Sequence, residues 1–387
     1  MSAISNTDVT IRITEPGFFN QPDYYDVLAR LRAEAPVFCS EPNTWLISRY
    51  DDIRAISRDT AHFTSQKGVL INDPARHAPL MDGSILHMDP PEHAEYRRVV
   101  SREFTPRSTT AMEAQITRIV NDVFDAAPVG EEIDFIKHIA MPIPVLVIAD
   151  LLGVADTELD EFHQWSDAMI EVSDNPTDEN MRLAGDFYRF VNERIKERKV
   201  APGDDLISLL AQTDLTKNEV LGFCMSLLVA GNETTRHLLA MGTYALATHP
   251  AQRASVGDIN ALVEELLRWV TPIQAFGRTA TSDVEVGGTT IPAGDFAVML
   301  YASGNRDEAI FGPTANVLDV TRPPSPTHVA FGFGEHNCLG APLARMEARM
   351  AFEQLLLRFP NYEIAAEPVL TNSTLVRGAH EMKVILK

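Results

Sequence analysis

Residues 331–345 read FGFGEHNCLGAPLAR and set Cys338, one of three cysteines in this 387-residue chain, in a glycine-rich turn. The apolar residues after the turn recur at helical spacing up to Pro360, which predicts a helix that begins just beyond Cys338. Free N–H groups and the positive end of the dipole at a helix start both favour a thiolate over a thiol. The thiolate is the form of cysteine that binds metals.

The glycines of this turn, Gly332, Gly334 and Gly340, permit tight turning and close approach of the backbone to a flat, bulky group. On Cys338 and its helix alone, a buried structural cysteine in a glycine-rich turn is the more common interpretation. The choice between a metal ligand and a core residue therefore depends on the rest of the chain.

Composition narrows the possible partners. The chain has 33 basic and 54 acidic residues and a net charge of -21, which disfavours nucleic acid and anionic membranes. Cys39, Cys224 and Cys338 lack the paired spacing of a disulfide framework or a zinc site, which indicates a reducing, cytoplasmic setting.

The N-terminus lacks a secretory pattern, and the most apolar stretch, residues 140–154, is broken by two prolines and an aspartate. We therefore expect no membrane span.

The pattern of apolar residues changes along the chain without a linker or an internal repeat. Residues 24–104 combine helical stretches with a hairpin at 35–50, followed by a long irregular loop at 65–85. Residues 106–249 are mainly helical, and short strands with a Gly-Gly turn follow residue 268. We expect one domain over residues 1–387.

One helix is predicted to be long enough to cross a domain. It begins at a capping box formed by Thr216 and Glu219, and its helical spacing continues to about His249. Thirty-odd residues at about 1.5 Å each give a helix of roughly 45 Å.

The middle of this helix, residues 230–235 (AGNETT), places a glycine and four polar residues inside an apolar run. The hydroxyl of Thr234 is expected to bond back to the carbonyl of Ala230, which would bend the helix and open a groove beside Gly231 for oxygen or water. The alternative is a tolerated kink without a chemical role.

Residues 331–345 resemble the haem-binding signature of the cytochrome P450 superfamily, Phe-Gly-x-Gly-x-His-x-Cys-x-Gly-x-x-Leu-Ala-Arg, at every fixed position. The resemblance implies that Cys338 is the proximal thiolate ligand of the iron of haem b and the metal ligand of the protein. It also implies that Phe331 packs near the porphyrin, that Gly332 and Gly340 make room for it, and that His336 reaches a propionate.

Other residues are assigned by the resemblance to contacts with the same cofactor. The resemblance assigns His93 and Arg97, four apart and so on one helix face, to a propionate, and similarly Arg278. Taken singly, each has a plain alternative as a solvated surface residue.

A Glu-x-x-Arg pair, Glu265 and Arg268, is by itself an ordinary contact between neighbours on a helix. In the family this pair binds an arginine from the stretch before the cysteine turn, which Arg322 matches. The resemblance makes these three residues organisers of the haem pocket rather than reacting groups.

The stretch AGNETT matches the family motif Ala/Gly-Gly-x-Asp/Glu-Thr. The resemblance therefore implies that Ala230 and Gly231 shape the oxygen site, and that Glu233 and Thr234 form an acid–alcohol pair that delivers protons during oxygen activation. Asn232 occupies a variable position and is given no role.

The implied fold is the cytochrome P450 fold of a soluble bacterial member. It is mainly α with small β-sheets, in a single large triangular domain with the haem between the long central helix and the cysteine-led helix. The implied function is a haem-thiolate monooxygenase that inserts one atom of O2 into a lipophilic small molecule, most simply by hydroxylation. The suggested pocket walls are residues 69–71 and 80–85, Leu227, Ala230 and residues 273–276.

The chain contains no flavin or dinucleotide fingerprint, so the resemblance implies a separate ferredoxin with its ferredoxin reductase as the electron donors. The side of the cysteine turn offers a basic docking patch. Its proposed members are Arg97, Arg98, Arg102, Arg107, Arg345 and Arg349.

Three other functions are compatible with parts of the pattern. A peroxide-driven peroxygenase would use the same fold, but usually lacks the acid–alcohol pair. A non-catalytic haem sensor would need the thiolate without a proton relay. A zinc or redox cysteine protein is disfavoured by the three unmatched cysteines.

Overall fold

A computed structural model of the protein describes residues 11–73, 84–171 and 177–387. The α-helices of these ranges are α1 (Tyr24–Glu34), α2 (Tyr50–Arg58), α3 (Glu92–Val100), α4 (Pro106–Ala111), α5 (Glu113–Ala126), α6 (Pro142–Leu152), α7 (Leu159–Glu171), α8 (Asp178–Val200), α9 (Leu206–Ala211), α10 (Lys217–Thr248), α11 (Pro250–Ala254), α12 (Ile259–Val270), α13 (Tyr301–Gly304), α14 (Glu308–Phe311) and α15 (Ala341–Arg358).

The strands are short, and all but β4 lie either in residues 37–64 or in residues 275–385. They are β1 (Val37–Glu41), β2 (Thr44–Ile47), β3 (Phe63–Thr64), β4 (Glu132–Asp134), β5 (Ala275–Ala280), β6 (Val284–Val286), β7 (Thr289–Ile291), β8 (Phe296–Leu300), β9 (Glu363–Ile364), β10 (Val369–Leu370), β11 (Ala379–Glu381) and β12 (Lys383–Ile385). The prediction of a mainly α fold with small sheets is confirmed.

The long helix α10 forms as its sequence predicts. The side chain of Thr216 accepts from the backbone N–H of Glu219 at 3.2 Å, and the Glu219 carboxylate accepts from the backbone N–H of Thr216 at 2.6 Å. This capping box satisfies two N–H groups that would otherwise have no partner at the helix start. The helix then runs for 32 residues and packs against α6, α12 and α15.

The largest sheet joins strands from residues 37–64 to strands from residues 275–300 in the order β1-β2-β8-β5-β3. The predicted hairpin at 35–50 is present as β1 and β2, with Asn43 at a φ of 61° in its turn. Strand β2 then pairs in parallel with β8, and β8 pairs antiparallel with β5. Side chains alternate between the two faces, so that one face packs on α1 and the other on α2.

Smaller sheets complete the β structure of the described residues. The predicted turn at Gly287 and Gly288 joins β6 to β7, while β12 pairs with both β4 and β9. The three-stranded sheet thus ties the C-terminus to a segment that lies between α5 and α6. Its strands were not predicted.

A continuous apolar core surrounds α10 and includes buried residues from Met88 to Leu386. Within the described ranges, none of the helices is both long and apolar enough to span a bilayer. The irregular loop predicted at 65–85 lies partly outside the described residues, and so do residues 80–83 of the suggested pocket wall.

Candidate haem site and oxygen groove

The cysteine turn depends on its glycines. Gly332 and Gly334 have φ values of 68° and 73°, in the left-handed region that glycine adopts without strain. A side chain at Gly334 would also collide with the carbonyl of Ser57 in α2. Helix α15 begins at Ala341, so the predicted position of Cys338 just before a helix is confirmed.

Opposing effects act on the pKa of the Cys338 thiol. Burial raises its pKa, and this outweighs the backbone N–H groups of Gly340 and Ala341 and the charges of Arg97 and Arg345, which lower it. The helix start therefore does not produce a thiolate unaided, and metal binding must supply the remainder because it requires the deprotonated sulfur. Although protein surrounds it, the Cys338 side chain keeps exposed surface, as a ligand that lines a cleft does.

Phe331 is supported by residues whose roles the sequence did not reveal. The guanidinium of Arg345 lies 4.6 Å from the centre of the Phe331 ring. Arg345 donates from Nε and Nη2 to Glu264 at 2.6 and 3.1 Å, and Nε2 of His328 lies 3.3 Å from the same carboxylate. Burial alone would raise the pKa of Glu264, but His328 and Arg345 lower it to about 2.

Four basic side chains from three parts of the chain meet beside the cysteine turn: His93 and Arg97 of α3, Arg278 of β5 and His336 of the turn. The rings of His93 and His336 have centroids 4.1 Å apart. Burial, and then the charges of Arg278, His93 and Arg97, lower the pKa of His336 to about 2. We call these four residues the cation cluster.

None of the acidic side chains in the described residues forms a salt bridge with the cation cluster. Asp89, the carboxylate that contributes a favourable charge to His93 and Arg278, is itself bound by the Thr64 hydroxyl and the Ser65 N–H. The Nε2 atom of His93 is buried and has no hydrogen-bond partner. The buried guanidinium of Arg278 requires an anion, and the buried N–H donor of a neutral histidine can bind the same group.

A haem fits this arrangement. Its two propionates would supply the missing negative charges, and the open face of Cys338 would supply a ligand to its iron. A side chain built at Gly340 would meet nothing within 4 Å, so space for a bulky group remains next to the cysteine.

The Glu-x-x-Arg group is confirmed as a buried three-residue network. Arg268 donates from Nε and Nη2 to Glu265, both at 2.7 Å, and Nε of Arg322 donates to the same carboxylate at 3.0 Å. The remaining Arg268 donors reach the carbonyls of Asn305 and Ala315 at 2.8 Å. The network is therefore structural and is not the surface contact that the pair alone would suggest.

The middle of α10 has the predicted local geometry. The hydroxyl of Thr234 donates to the carbonyl of Ala230 at 2.8 Å. Ala230 is exposed although its neighbours Leu228 and Asn232 are buried, so an opening lies beside this point of the helix. Gly231 has a packing explanation, because a side chain there would collide with Ile148 of α6.

Glu233 lies beside two basic residues of its own helix. Its Oε1 is 3.7 Å from Nη2 of Arg236 and 3.6 Å from Nε2 of His237. Burial alone would raise the pKa of Glu233, but His237 and Arg236 outweigh it and the pKa lies below its ordinary value. His237 is fully buried against Gly378, and burial lowers its pKa.

Asn232, to which the sequence assigned no role, makes a buried hydrogen bond. Its Nδ2 donates to the hydroxyl of Ser166 in α7 at 2.7 Å, and both side chains are fully buried. This bond fixes α7 against α10 one residue before Glu233. A buried amide in an apolar run is the sequence signal that could have predicted such a partner.

The residues of the suggested pocket wall that the structure describes differ in their burial. Phe276, Ile273 and Leu227 are half-buried, whereas Val69 and Ile71 are fully buried. The carbonyl of Val69 accepts from the N–H of Gly277 at 2.7 Å, which joins the irregular loop to β5.

Comparison with known proteins places this site in a family. Residues 259–381 match the family model described as Cytochrome P450. The chain is 36% identical to the vitamin D(3) 25-hydroxylase of Pseudonocardia autotrophica, with 95% of this chain and 94% of that one covered. It is also 36% identical to the mycinamicin IV hydroxylase/epoxidase of Micromonospora griseorubida, with 88% and 89% covered.

Solved structures agree. The cytochrome P450 PksS of the Bacillus subtilis bacillaene polyketide synthase superposes with a TM-score of 0.87 at 32% identity, and 97% of this chain and 99% of that one are covered. The fold and these relatives define a haem-dependent oxidoreductase. The chain belongs to the cytochrome P450 family. It is a haem-binding monooxygenase that uses O2 and a small-molecule substrate, which rules out a zinc or simple redox cysteine protein.

Proposed function

We propose that this protein hydroxylates a lipophilic small molecule: a C–H bond, O2, two protons and two electrons give an alcohol and water. When bound, the haem supplies the dioxygen chemistry, and a thiolate ligand favours cleavage of the O–O bond. The observation that carries the proposal is the open thiol of Cys338 next to the cation cluster, in which Nε2 of His93 is buried without a hydrogen-bond partner among the described residues. That pairing suits an anionic, iron-containing cofactor.

The proposed contacts to the haem come from side chains that the fold gathers from distant parts of the chain. Cys338 would be the axial ligand, with Phe331, Gly332 and Gly340 beside the ring and His93, Arg97, Arg278 and His336 on the propionates. The reduced protein with CO should show the Soret band of a thiolate-ligated haem. Cys338→Ser should lose that band, and its persistence would refute the ligand assignment.

We propose that Thr234 and Glu233 move protons into the groove beside Ala230. The Thr234 proton is engaged by the Ala230 carbonyl, so the lone pairs of the hydroxyl remain free to accept a hydrogen bond from a donor in the groove. The Glu233 carboxylate contacts Arg236 and His237 at 3.6 to 3.7 Å, longer than a normal hydrogen bond. Charge attraction at that distance leaves the side chain able to rotate towards the groove.

Coupling measurements test this assignment. Thr234→Ala and Glu233→Gln should still consume O2 but convert less of it to product, with more released as hydrogen peroxide, because general acid catalysis typically contributes about 10²–10⁴-fold. Thr234→Ser, which keeps the hydroxyl, should recover coupling. Equal coupling in Thr234→Ala and wild type would remove Thr234 from the mechanism. Faster turnover with hydrogen peroxide than with O2 and electrons would favour a peroxygenase.

For electron supply we propose a ferredoxin and its reductase that dock on the side of the cysteine turn. In the structure, two arginines of the basic patch suggested by the sequence are bound to acidic side chains. Arg345 is bound to Glu264, and Arg349 donates to Glu113 at 2.7 Å. The exposed candidates near α3 are Arg98, Arg102 and Arg107.

Charge reversal separates these two groups of arginines. Arg102→Glu should slow reduction by a bacterial ferredoxin at low ionic strength, and added salt should reduce the difference, because exposed charges are screened. Arg349→Glu, which repels its partner Glu113 rather than removing a free charge, is the matched control. Equal reduction rates for wild type and Arg102→Glu at low salt would refute docking at this patch.

The substrate is proposed to be lipophilic. The pocket wall suggested by the sequence is mainly apolar and includes the half-buried Leu227, Ile273 and Phe276, and two relatives are named for vitamin D(3) and for mycinamicin IV. Screening sterols, macrolides and fatty acids for the spectral shift caused by displacement of the iron-bound water would identify the class. Shifts only with small hydrophilic compounds would contradict it.

We further propose that the chain acts as one domain in the cytoplasm. Strand β3 pairs with β5 and β12 pairs with β4, so both ends of the chain share sheets with its interior. The free thiols of Cys39, Cys224 and Cys338 suit a reducing compartment. Limited proteolysis that released a stable fragment would contradict the single domain.

A further inference from the structure

A cavity of about 310 Å³ lies at the C-terminal half of α10, separate from the cysteine turn and from the groove at Ala230. Its walls come from α1, α10, α12, β10 and the segments that contain Arg306 and Arg377. The volume is at the lower end of the range typical of small-molecule sites, which is roughly 300–1,000 Å³. Neither the proposed reaction nor the haem contacts use this cavity.

Arg306 lines the cavity and is only 2% exposed. Its Nη2 donates to the Trp269 carbonyl at 2.8 Å, but its Nη1 is buried without a hydrogen-bond partner in the described structure. The guanidinium lies 3.8 Å from the centre of the Tyr25 ring and 4.6 Å from that of Trp269. Aromatic faces attract the cation but provide no acceptor for the free N–H donors.

A second cation faces the same space. Arg377 lines the cavity with its guanidinium 5.2 Å from the centre of the Tyr25 ring, and its Nε is committed to the Phe19 carbonyl at 2.9 Å. The one carboxylate among the lining residues is Glu367, which is exposed and accepts from the Tyr244 hydroxyl at 2.6 Å. The lining therefore carries two cations, one of them buried, against one acid at the surface.

The rest of the lining is mainly apolar and includes Met241, Val270 and Leu370. An apolar wall with a few convergent polar groups is typical of a site for a small organic molecule. We propose that the cavity binds a small organic carboxylate, with the carboxylate beside the guanidinium groups of Arg306 and Arg377 and the apolar part against Met241 and Leu370. Inorganic anions would satisfy the charge but leave the apolar wall uncovered.

Octanoate is the test ligand, and octanamide is its uncharged match. The holoenzyme is first saturated with an azole inhibitor, so that the space above the haem is filled and any further binding is elsewhere. We expect octanoate to change the fluorescence of Trp269 in a saturable manner without moving the Soret band, and octanamide to bind at least tenfold more weakly. Trp269→Phe should abolish the fluorescence change.

Two variants at the edge of the cavity, with opposite expected effects on octanoate affinity, test the proposal without altering the buried Arg306. Arg377→Gln should weaken octanoate binding about fivefold, because a favourable charge is lost. Glu367→Gln should tighten it by a similar factor, because a repelling carboxylate is removed from the rim. Absence of saturable binding, equal binding of octanoate and octanamide, or identical affinities in both variants would overturn the proposal.

Discussion

The network at Glu265 and the cation cluster beside the cysteine turn bury arginines in opposite ways. In the first, a carboxylate and several carbonyls accept from Arg268, so its charge is balanced within the protein. In the second, Arg278 and His93 are also buried, yet Asp89 acts on them only at a distance and none of the described acids forms a salt bridge with them. The difference shows that a buried cation without a partner indicates a ligand, whereas a paired one indicates architecture.

The largest effect is expected where the balanced network is broken. Glu265→Gln leaves Arg268, whose side chain is 2% exposed, without its carboxylate. Removal of one member of a buried ion pair costs about 3–5 kcal/mol, so the free energy of unfolding of the holoenzyme should fall by that amount. Chemical denaturation followed by circular dichroism measures it.

The adjacent residue supplies the control. Glu264→Gln removes a carboxylate that is 25% exposed in an ion pair with Arg345, and this should cost only about 1 kcal/mol. Equal losses for the two variants would mean that burial does not distinguish them.

Glu347 in α15 is the negative counterpart of an unpaired cation. It is 3% exposed, its Oε2 has no hydrogen-bond partner among the described residues, and burial raises its pKa to about 8. The folded state therefore keeps its proton between the ordinary pKa of about 4.3 and about 8, while the unfolded state releases it. This group stabilises the fold fully at low pH and progressively less as the pH rises, by at most about 1.4 kcal/mol per pH unit.

Glu347→Gln removes this titration while preserving the shape of the side chain. We expect the free energy of unfolding of wild type, relative to that of the variant, to fall between pH 5 and pH 8 by up to about 4 kcal/mol. Thermal unfolding of both proteins across that range measures the difference. A constant difference across the range would show that Glu347 finds a charged partner.

Arg278→Gln should have a smaller effect, on haem retention rather than on folding. Charge-assisted hydrogen bonds are worth about 1.5–3 kcal/mol, so haem transfer to apomyoglobin should be about 10- to 100-fold faster. The unfolding midpoint at saturating haem should change little, because Asp89, the carboxylate that attracts Arg278, keeps its own bonds to Thr64 and Ser65. Faster unfolding with unchanged haem transfer would place Arg278 with the balanced network instead.

The smallest effect is expected at the neutral pair of Asn232 and Ser166. Ser166→Ala leaves the buried Asn232 amide without its acceptor, which should cost about 1–2 kcal/mol. Adding Asn232→Leu should recover part of this loss, because both polar groups are then absent. The free energies of unfolding of wild type, the two single variants and the double variant, measured by denaturation, give the interaction energy between the two side chains.

Sequence reasoning succeeded where chemistry is local. The capping box at Thr216, the bond from Thr234 to Ala230 and the position of Cys338 before α15 each depend on residues a few positions apart. The three-residue network at Glu265 was also predicted, because the family resemblance supplied the distant arginine.

The sequence did not reveal long-range contacts and their balance of charge. Nothing near Asn232 indicates Ser166, which is 66 residues earlier in the chain. The number of unpaired arginines at the proposed docking patch is smaller than the sequence suggested only because folding brings Glu264 and Glu113 beside Arg345 and Arg349. The helix start predicted an acidic thiol, whereas burial of Cys338 works against it.

The close fit of Gly334 against Ser57 has a consequence for the order of assembly. The turn that presents Cys338 can reach its final shape only after α2, nearly 280 residues earlier, is in place. The cation cluster likewise needs α3 from the first third of the chain and β5 from the last third. An N-terminal fragment has no pocket that could retain haem, and during synthesis the cofactor must be captured after nearly the whole chain has left the ribosome.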